Sequence, residues 1–551
     1  MVKSAIKNGT SFLFTSQKTI ISAASIISVA YAFSAVLSFV RTRILSAHFG
    51  DSQELGVFFV ADRIPTLIFT ILVVGTVSAV FVPIFTSIMK KDEEEAWRVS
   101  STIINFSLLV FIVLGLLSFI FARNIMVALS LGQFSLVEVE LGANLMRIMI
   151  AAQIILIFSS FMTSILQSFR YFIIPALAPV LYNIGMIFGV LFLTPLVGIY
   201  GAAYGVVIGA ILHLFVQLPL LSRIKYRYSL TMDLKDPGVK EIFRLVPPRI
   251  FTTAANQVSA TVHTTLAVLI SASSVVVFKF ADQLQSFPVT LFGASIALAA
   301  LPTLSLETDD ETYTKFKETF LTSLHQMLFL VIPAAIVLLV LRVPVVRLVY
   351  GTSRFSWEAT LATSYAVAFF SLSTFSQSAV FLITRAFYAL HDTKTPLKVM
   401  LLTIPLDVVL SFYFVKVLGF GVWAIAFSYS ISSILDFVIM LYLLSKKVGG
   451  FDLENLINPF VKISYAALFM GISLYVPMKL MEQYIFDTTR TIPLMLLTLT
   501  VCAFGFVSYL IFTKLFRVKE VELLYKVLGK FGFATGITAA TDASAPTTNE
   551  S

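Results

Sequence analysis

The sequence predicts an all-α integral membrane protein of about fourteen transmembrane helices, built as two six-helix lobes related by a parallel repeat, with two further helices at the carboxyl end. Three observations carry that prediction. Of the 551 residues 58% are hydrophobic and only 13% charged, against about 25% charged in an average soluble domain. Mean hydropathy is +0.93, and apolar runs of roughly 20 residues recur along the chain. A segment near residue 60 also returns about 220 residues later, which signals duplication.

Taken in order, the apolar spans begin near Ile20, Val57, Ser101, Gly142, Phe172, Gly201, Glu241, Ser274, Leu321, Thr360, Leu397, Gly421, Val461 and Ile492. An even number of spans places both termini on one side. With the amino terminus inside, the inside connections hold most of the Lys and Arg, including Lys90, Lys91, Arg98, Lys394, Lys446, Lys447 and the basic run over 223–244. The outside connections keep few, among them Arg123, Arg147, Arg342 and Arg354. The positive-inside rule therefore predicts cytoplasmic termini, and it accounts for the net charge of +9 without a nucleic-acid partner.

The predicted boundaries are 1–222 for the first lobe, 223–240 for a cytoplasmic linker, 241–447 for the second lobe and 448–518 for the two extra helices. Residues 519–551 form a cytoplasmic tail whose Thr-, Ala- and Ser-rich end is expected to be disordered. The first apolar run is long and lacks a small-residue cleavage site, so a retained helix is expected. Cys502 is the single cysteine, which excludes a disulfide or a Cys-based metal site within one chain.

The repeat sets the symmetry. Ala61-Asp62, Gly75 and Pro83 in the first copy correspond to Ala281-Asp282, Gly293 and Pro302 in the second. A second pair, residues 167–175 and 384–396, matches an arginine, an aromatic and a following proline. Six spans separate the copies, so both cross in the same direction. Pro65, Pro288 and Pro405 lie within spans and predict helices that bend.

A charge at mid-bilayer costs about 2.5 to 3.5 kcal/mol on insertion scales, so the ionisable residues inside spans stand out. The cations are Arg41, Arg43, Arg63, Arg249, Lys279 and Arg385; the carboxylates are Asp62, Asp282, Asp407 and Asp436. In one reading Arg63 pairs with Asp62, Lys279 pairs with Asp282, and the others snorkel to the interface. In the other, the cations line a cavity for an anion, with phosphate favoured because Arg binds it bidentately.

No Gly-rich phosphate loop, nucleophile elbow or His-Glu-x-x-His motif is present, and the five histidines do not fall at ligand spacing. A non-enzymatic transporter is therefore expected. A membrane glycosyltransferase would need a catalytic carboxylate in an outside loop, and residues 343–358 offer only Glu358.

Residues 38–50, 58–65, 79–83, 301–305 and, most specifically, 385–396 (Arg-Ala-Phe-Tyr-Ala-Leu-His-Asp-Thr-Lys-Thr-Pro) resemble the MurJ (MviN) lipid II flippase family. The resemblance implies a bacterial inner-membrane protein of the multidrug/oligosaccharidyl-lipid/polysaccharide exporter superfamily. Its substrate would be lipid II or a similar polyprenyl-pyrophosphate glycolipid, taken into a cationic cavity, with the last two helices sheltering the lipid tail. Membrane lipids and cell-wall synthesis proteins are the other implied partners. Alternatives are export of another polyprenyl-linked oligosaccharide and a non-transporting scaffold in cell-wall synthesis.

Arg41 matches a cavity arginine of the family, but Ala35, Gly56, Phe69-Thr70 and Gln283 stand where the family pattern has charged residues. Lys279 lies four residues before Gln283, one turn along the same helical face. A relocated substrate-binding set of Arg41, Arg249 and Lys279, joined by Arg63 and Arg385, is expected. No cofactor is expected beyond Na⁺ or proton coupling. Some family members hold Na⁺ in the second lobe, and Asp407 with Ser411, Asn256 and Ser428 supplies the hard oxygen ligands such an ion takes.

Overall fold

The computed structural model describes residues 20–73, 80–308 and 312–522. Among them the secondary structure is 84% helix with no strand. Eleven helices are long and apolar enough to cross a membrane, or twelve when Trp357–Ser371 and Thr374–Ala389, bent by 46° at their junction, count as one. The spans expected near Ile20 and Glu241 are helices too, Ile20–Phe49 and Pro247–Val268, but neither is among the twelve. Arg249, Asn256, Gln257 and His263 make Pro247–Val268 too polar to pass. The expectations for Gly75 and for the end of the tail, 523–551, lie outside the described residues.

The chain divides into two compact units: residues 1–280, 349–363 and 408–425, and residues 281–348, 364–407 and 426–551. This division runs elsewhere than the repeat boundary, because helix Pro247–Val268 and residues 272–280 cluster with the first unit.

In the first unit, helices Ile173–Phe188 and Tyr200–Phe215 approach through glycines. A Cβ on Gly205 would stand 3.1 Å from Gly189 Cα, and one on Gly209 2.6 Å from the Tyr182 carbonyl oxygen. Lipid tails offer no hydrophobic gain for helix association, so close backbone packing of this kind does the work. Helix Leu136–Ser168 starts at a capping box between Ser135 and Glu138, and Glu93–Ile120 at an Asp92 cap. Trp97 stacks on Phe169 and meets Phe85 and Tyr226 edge-on or tilted, tying three helix ends together.

In the second unit, Phe316, Phe320, Leu382, Phe387, Met470 and Leu474 belong to one buried core. Tyr509 donates a 2.8 Å hydrogen bond to the Phe329 carbonyl, holding the last span, Thr491–Leu515, to Thr314–Val340. Ser373 and Ser430 meet at 2.9 Å, and Ser376 and Ser433 at 3.1 Å, a ladder of interhelical hydroxyl contacts. The faces of the last two spans carrying Leu468, Ile472, Leu499 and Ile511 are exposed, as surfaces meeting lipid must be.

The repeat reappears as irregular backbone. π-helical turns occupy Gly189–Leu193 and Tyr413–Val417, each ending the span that follows the second repeated motif. Another, Val289–Ala294, interrupts the second copy of the first motif, and Val80 and Phe81 are π-helical in the first copy. Pro288 opens one of these turns, since it removes a backbone donor within the helix. Of the prolines expected to bend spans, Pro288 adjoins a π turn, whereas Pro65 and Pro405 lie within α-helical stretches.

Candidate functional site

Arg41 sits on Ile20–Phe49, in the first unit. Its Nη1 donates to Asn183 Oδ1 at 3.0 Å and lies 3.4 Å from Met186 Sδ, while Nη2 donates to Ser38 Oγ at 3.3 Å. The Nε–H is buried with no hydrogen-bond partner. No carboxylate lies within 4.0 Å among the described residues; Asp62 reaches Arg41 only through its longer-range field. A half-buried guanidinium with polar neighbours and no carboxylate within 4.0 Å among the described residues is a candidate to meet an anion.

Asn183, 142 positions away, holds that guanidinium and is itself held. Its Nδ2 donates to Ser34 Oγ at 3.2 Å and to the Pro179 carbonyl at 3.0 Å. Asn183, Ser34 and Ser38 escape sequence reasoning that looks only for charge. The available signal is an amide in the otherwise apolar span that begins near Phe172.

Arg63 is buried, at 8% exposure. The neighbouring Asp62 carboxylate accepts from Thr66 Oγ1 at 3.1 Å, and Lys279 is half-buried on Ala272–Pro288. Arg249 falls on Pro247–Val268, and its side chain lies outside the described residues. These four positions share the first unit; Arg385 belongs to the second, its guanidinium 5.7 Å over the Tyr388 ring. Arg43 is a structural residue, donating to the Val349 carbonyl at 3.3 Å.

That bond is part of a strap. Residues 349–356 lie over the end of Ile20–Phe49 within the first unit. Ser46 Oγ donates to the Tyr350 carbonyl at 2.7 Å, Thr352 Oγ1 to the Ser46 carbonyl at 3.0 Å, and Arg354 to the His48 carbonyl. Asp51 accepts from Ser356 N–H at 3.0 Å and from its hydroxyl at 2.8 Å. Gly50, at φ +60° and against the Arg354 carbonyl, leaves no room for a side chain.

Of the proposed ion ligands, Asp407, Ser411 and Ser428 are buried and Asn256 is exposed. Asp407 and Ser428 belong to the second unit, Asn256 and Ser411 to the first. Among the described residues no group of three or more His, Cys, Asp or Glu gathers for a metal.

The family model for lipid II flippase MurJ matches residues 45–495. A protein named probable lipid II flippase MurJ from Thermotoga maritima is 28% identical over 500 residues, 89% of this chain and 95% of that one. The lipid II flippase MurJ of Burkholderia cenocepacia is 26% identical over 397 residues, 70% of this chain and 76% of that one. A solved lipid II flippase MurJ in an inward closed conformation superposes with a TM-score of 0.75 at 25% identity, covering 90% of this chain and 99% of that one. An inward-facing multidrug resistance MATE family transporter superposes at 0.62 with 15% identity, over 78% and 98% of the two chains, a likeness of fold alone.

Proposed function

The chain belongs to the lipid II flippase MurJ family, and from that membership we propose that it carries lipid II, the polyprenyl-pyrophosphate-linked peptidoglycan precursor, from the inner to the outer leaflet of the bacterial cytoplasmic membrane. The observation that carries this reading beyond family membership is Arg41, a half-buried guanidinium held by Asn183 and Ser38, with a buried, unpartnered Nε–H and no carboxylate within 4.0 Å among the described residues. A pyrophosphate supplies the missing negative charge, and Arg is the side chain best shaped to take it.

In this reading Arg249, Lys279 and Arg63 add positive charge from the same unit as Arg41. A part for Arg385 rests on the sequence alone. Both termini are cytoplasmic by the distribution of Lys and Arg. The strap over 349–356 holds the end of the Arg41 helix in the conformation described, and export requires its hydrogen bonds to exchange for others as access alternates. Coupling to Na⁺ through Asp407, and contacts with cell-wall synthesis proteins, belong to the same proposal.

The test is rescue of cells depleted of their own flippase, scored by lipid II accessible at the outer face. The chain is expected to restore it, Arg41→Ala to fail at equal membrane abundance, and Arg41→Lys to restore it in part. Failure of the abundant, correctly inserted chain to export lipid II, in cells and in vesicles alike, would remove the proposal.

A further inference from the structure

A cavity of about 820 Å³ opens in the second unit where the first turns of Thr314–Val340 and Leu453–Tyr484 meet residues 517–520, which follow the last span. We infer that this cavity seats the phosphate of a resident membrane glycerophospholipid, at a place separate from Arg41.

The charge balance comes first. Lys317, Lys462, Arg517 and Lys519 line the cavity, and among the described residues none of their side chains is in an ion pair. Lys317 and Lys462 are half-buried, whereas Arg517 and Lys519 stand at the rim. Four carboxylates also line it: Glu318, Asp452 and Glu454 are exposed and Glu520 is half-buried. Asp452 caps its own helix, accepting from Glu454 N–H at 3.0 Å and from Asn455 Nδ2 at 2.7 Å. Glu520 faces His325 Nδ1 at 3.9 Å. The eight charges balance formally, four against four, but the half-buried ones are Lys317, Lys462 and Glu520, so the inner lining is net positive and favours an anion. Half-buried ammonium groups are screened less than exposed ones, which makes the preference local rather than a general surface attraction.

The lining is also built rather than incidental. Arg517 adopts φ +53°, and the turn is closed by Val518 N–H on the Thr513 carbonyl at 2.9 Å. Val518 and Val521 are buried in the unit's core, which anchors the segment carrying Arg517, Lys519 and Glu520. His325, 6% exposed on the opposite wall, lies 3.4 Å from the Leu456 carbonyl through Nε2.

The apolar half of the ligand is indicated independently. Leu453, Ile457 and Val461 recur every fourth residue of Leu453–Tyr484 and are exposed, at 67%, 50% and 37%. At 100° per residue this stripe lies on the helix face next to the one bearing Glu454, Asn458 and Lys462. An anion-attracting cavity bordered by an exposed apolar stripe matches a phosphate head with acyl chains. The volume, within the range of drug-sized sites, exceeds what inorganic phosphate fills.

The test uses the purified full chain in detergent, stripped of lipid and free of lipid II, titrated with dioctanoyl phosphatidylglycerol and followed by native mass spectrometry and thermal melting. Saturable binding is expected, weakened at least ten-fold in Lys317→Ala/Lys462→Ala, restored in Lys317→Arg/Lys462→Arg and unchanged in Lys90→Ala/Lys91→Ala. Dioctanoylglycerol, which lacks the phosphate, is expected not to bind. Equal loss in the Lys90/Lys91 control, or undiminished binding in the folded Lys317/Lys462 variant, would overturn the site. Glycerol 3-phosphate binding as tightly as the lipid would overturn the lipid assignment in favour of a soluble phosphate ester. Neither result depends on whether the chain exports lipid II.

Discussion

Arg41 Nη1 and Asn183 Oδ1 lie 3.0 Å apart, joining Ile20–Phe49 to Ile173–Phe188 through one charge-assisted hydrogen bond. Because Asn183 is neutral, it orients the guanidinium without cancelling its charge. A carboxylate in its place would do both.

Substitutions at Asn183 separate those two effects. Asn183→Ala leaves the guanidinium undirected and is expected to cost about 1–3 kcal/mol of stability and roughly ten-fold in lipid II export, the equivalent of about 1.4 kcal/mol. Asn183→Asp is expected to keep the protein stable while abolishing export, because an ion pair then occupies Arg41. Thermal melting read alongside outer-face lipid II distinguishes the two; equal export by wild type and Asn183→Asp would contradict the role given to Arg41.

The Asp51–Ser356 contact tests the strap. Asp51→Ala removes two acceptors, for the Ser356 amide and hydroxyl, and is expected to destabilise the strapped conformation by about 1–2 kcal/mol. Faster hydrogen exchange over residues 349–356, with the remaining spans unchanged, is the expected signature. A double-mutant cycle with Ser356→Ala should return a coupling of about 0.5–1.5 kcal/mol.

Asp407 is 3% exposed within its span, and Ser411 and Ser428 are fully buried. If Na⁺ coupling runs through Asp407, Asp407→Asn removes the formal charge at nearly constant volume, and export should lose its dependence on external Na⁺. Full retention of that dependence in a transport-competent Asp407→Asn protein would end the assignment.

The Asp392–Lys447 pair, 2.6 Å apart between a connection and the end of helix Trp423–Lys447 in the second unit, predicts a pH effect. Partial burial pushes the Asp392 carboxyl up, but hydrogen bonds from Lys447 and Thr395 outweigh it and hold the group at about 2. A depressed carboxyl pKa stabilises the fold fully above the unfolded value near 3.9 and loses that contribution as pH falls through about 2. Lys447 is 36% exposed, so after allowance for solvent screening the contribution is about 1 kcal/mol. Asp392→Asn should therefore melt below wild type at pH 7, and the gap should close as pH approaches 2. A gap that persists unchanged at pH 2 would show that packing, not charge, is responsible.

The membrane class, the helical fold, the repeat and the rarity of Arg41 as a charge within an apolar span were legible in the sequence. Each depends on local composition, on a fixed spacing or on the rarity of a charge among apolar residues. Of the fourteen expected spans twelve are met by length and apolarity among the described residues; Pro247–Val268 carries too many polar groups for an apolar window, and the amino-terminal part of Ile20–Phe49 has side chains outside the described residues. What only the tertiary structure decided are pairings between distant helices and loops: Asn183 for Arg41, Ser356 for Asp51, and residues 517–520 beside Lys317 and Lys462. The physical reason is that periodicity states which face of a helix is apolar, whereas a hydrogen bond depends on the rotation, register and approach of two packed helices. Hydropathy carries no term for those quantities.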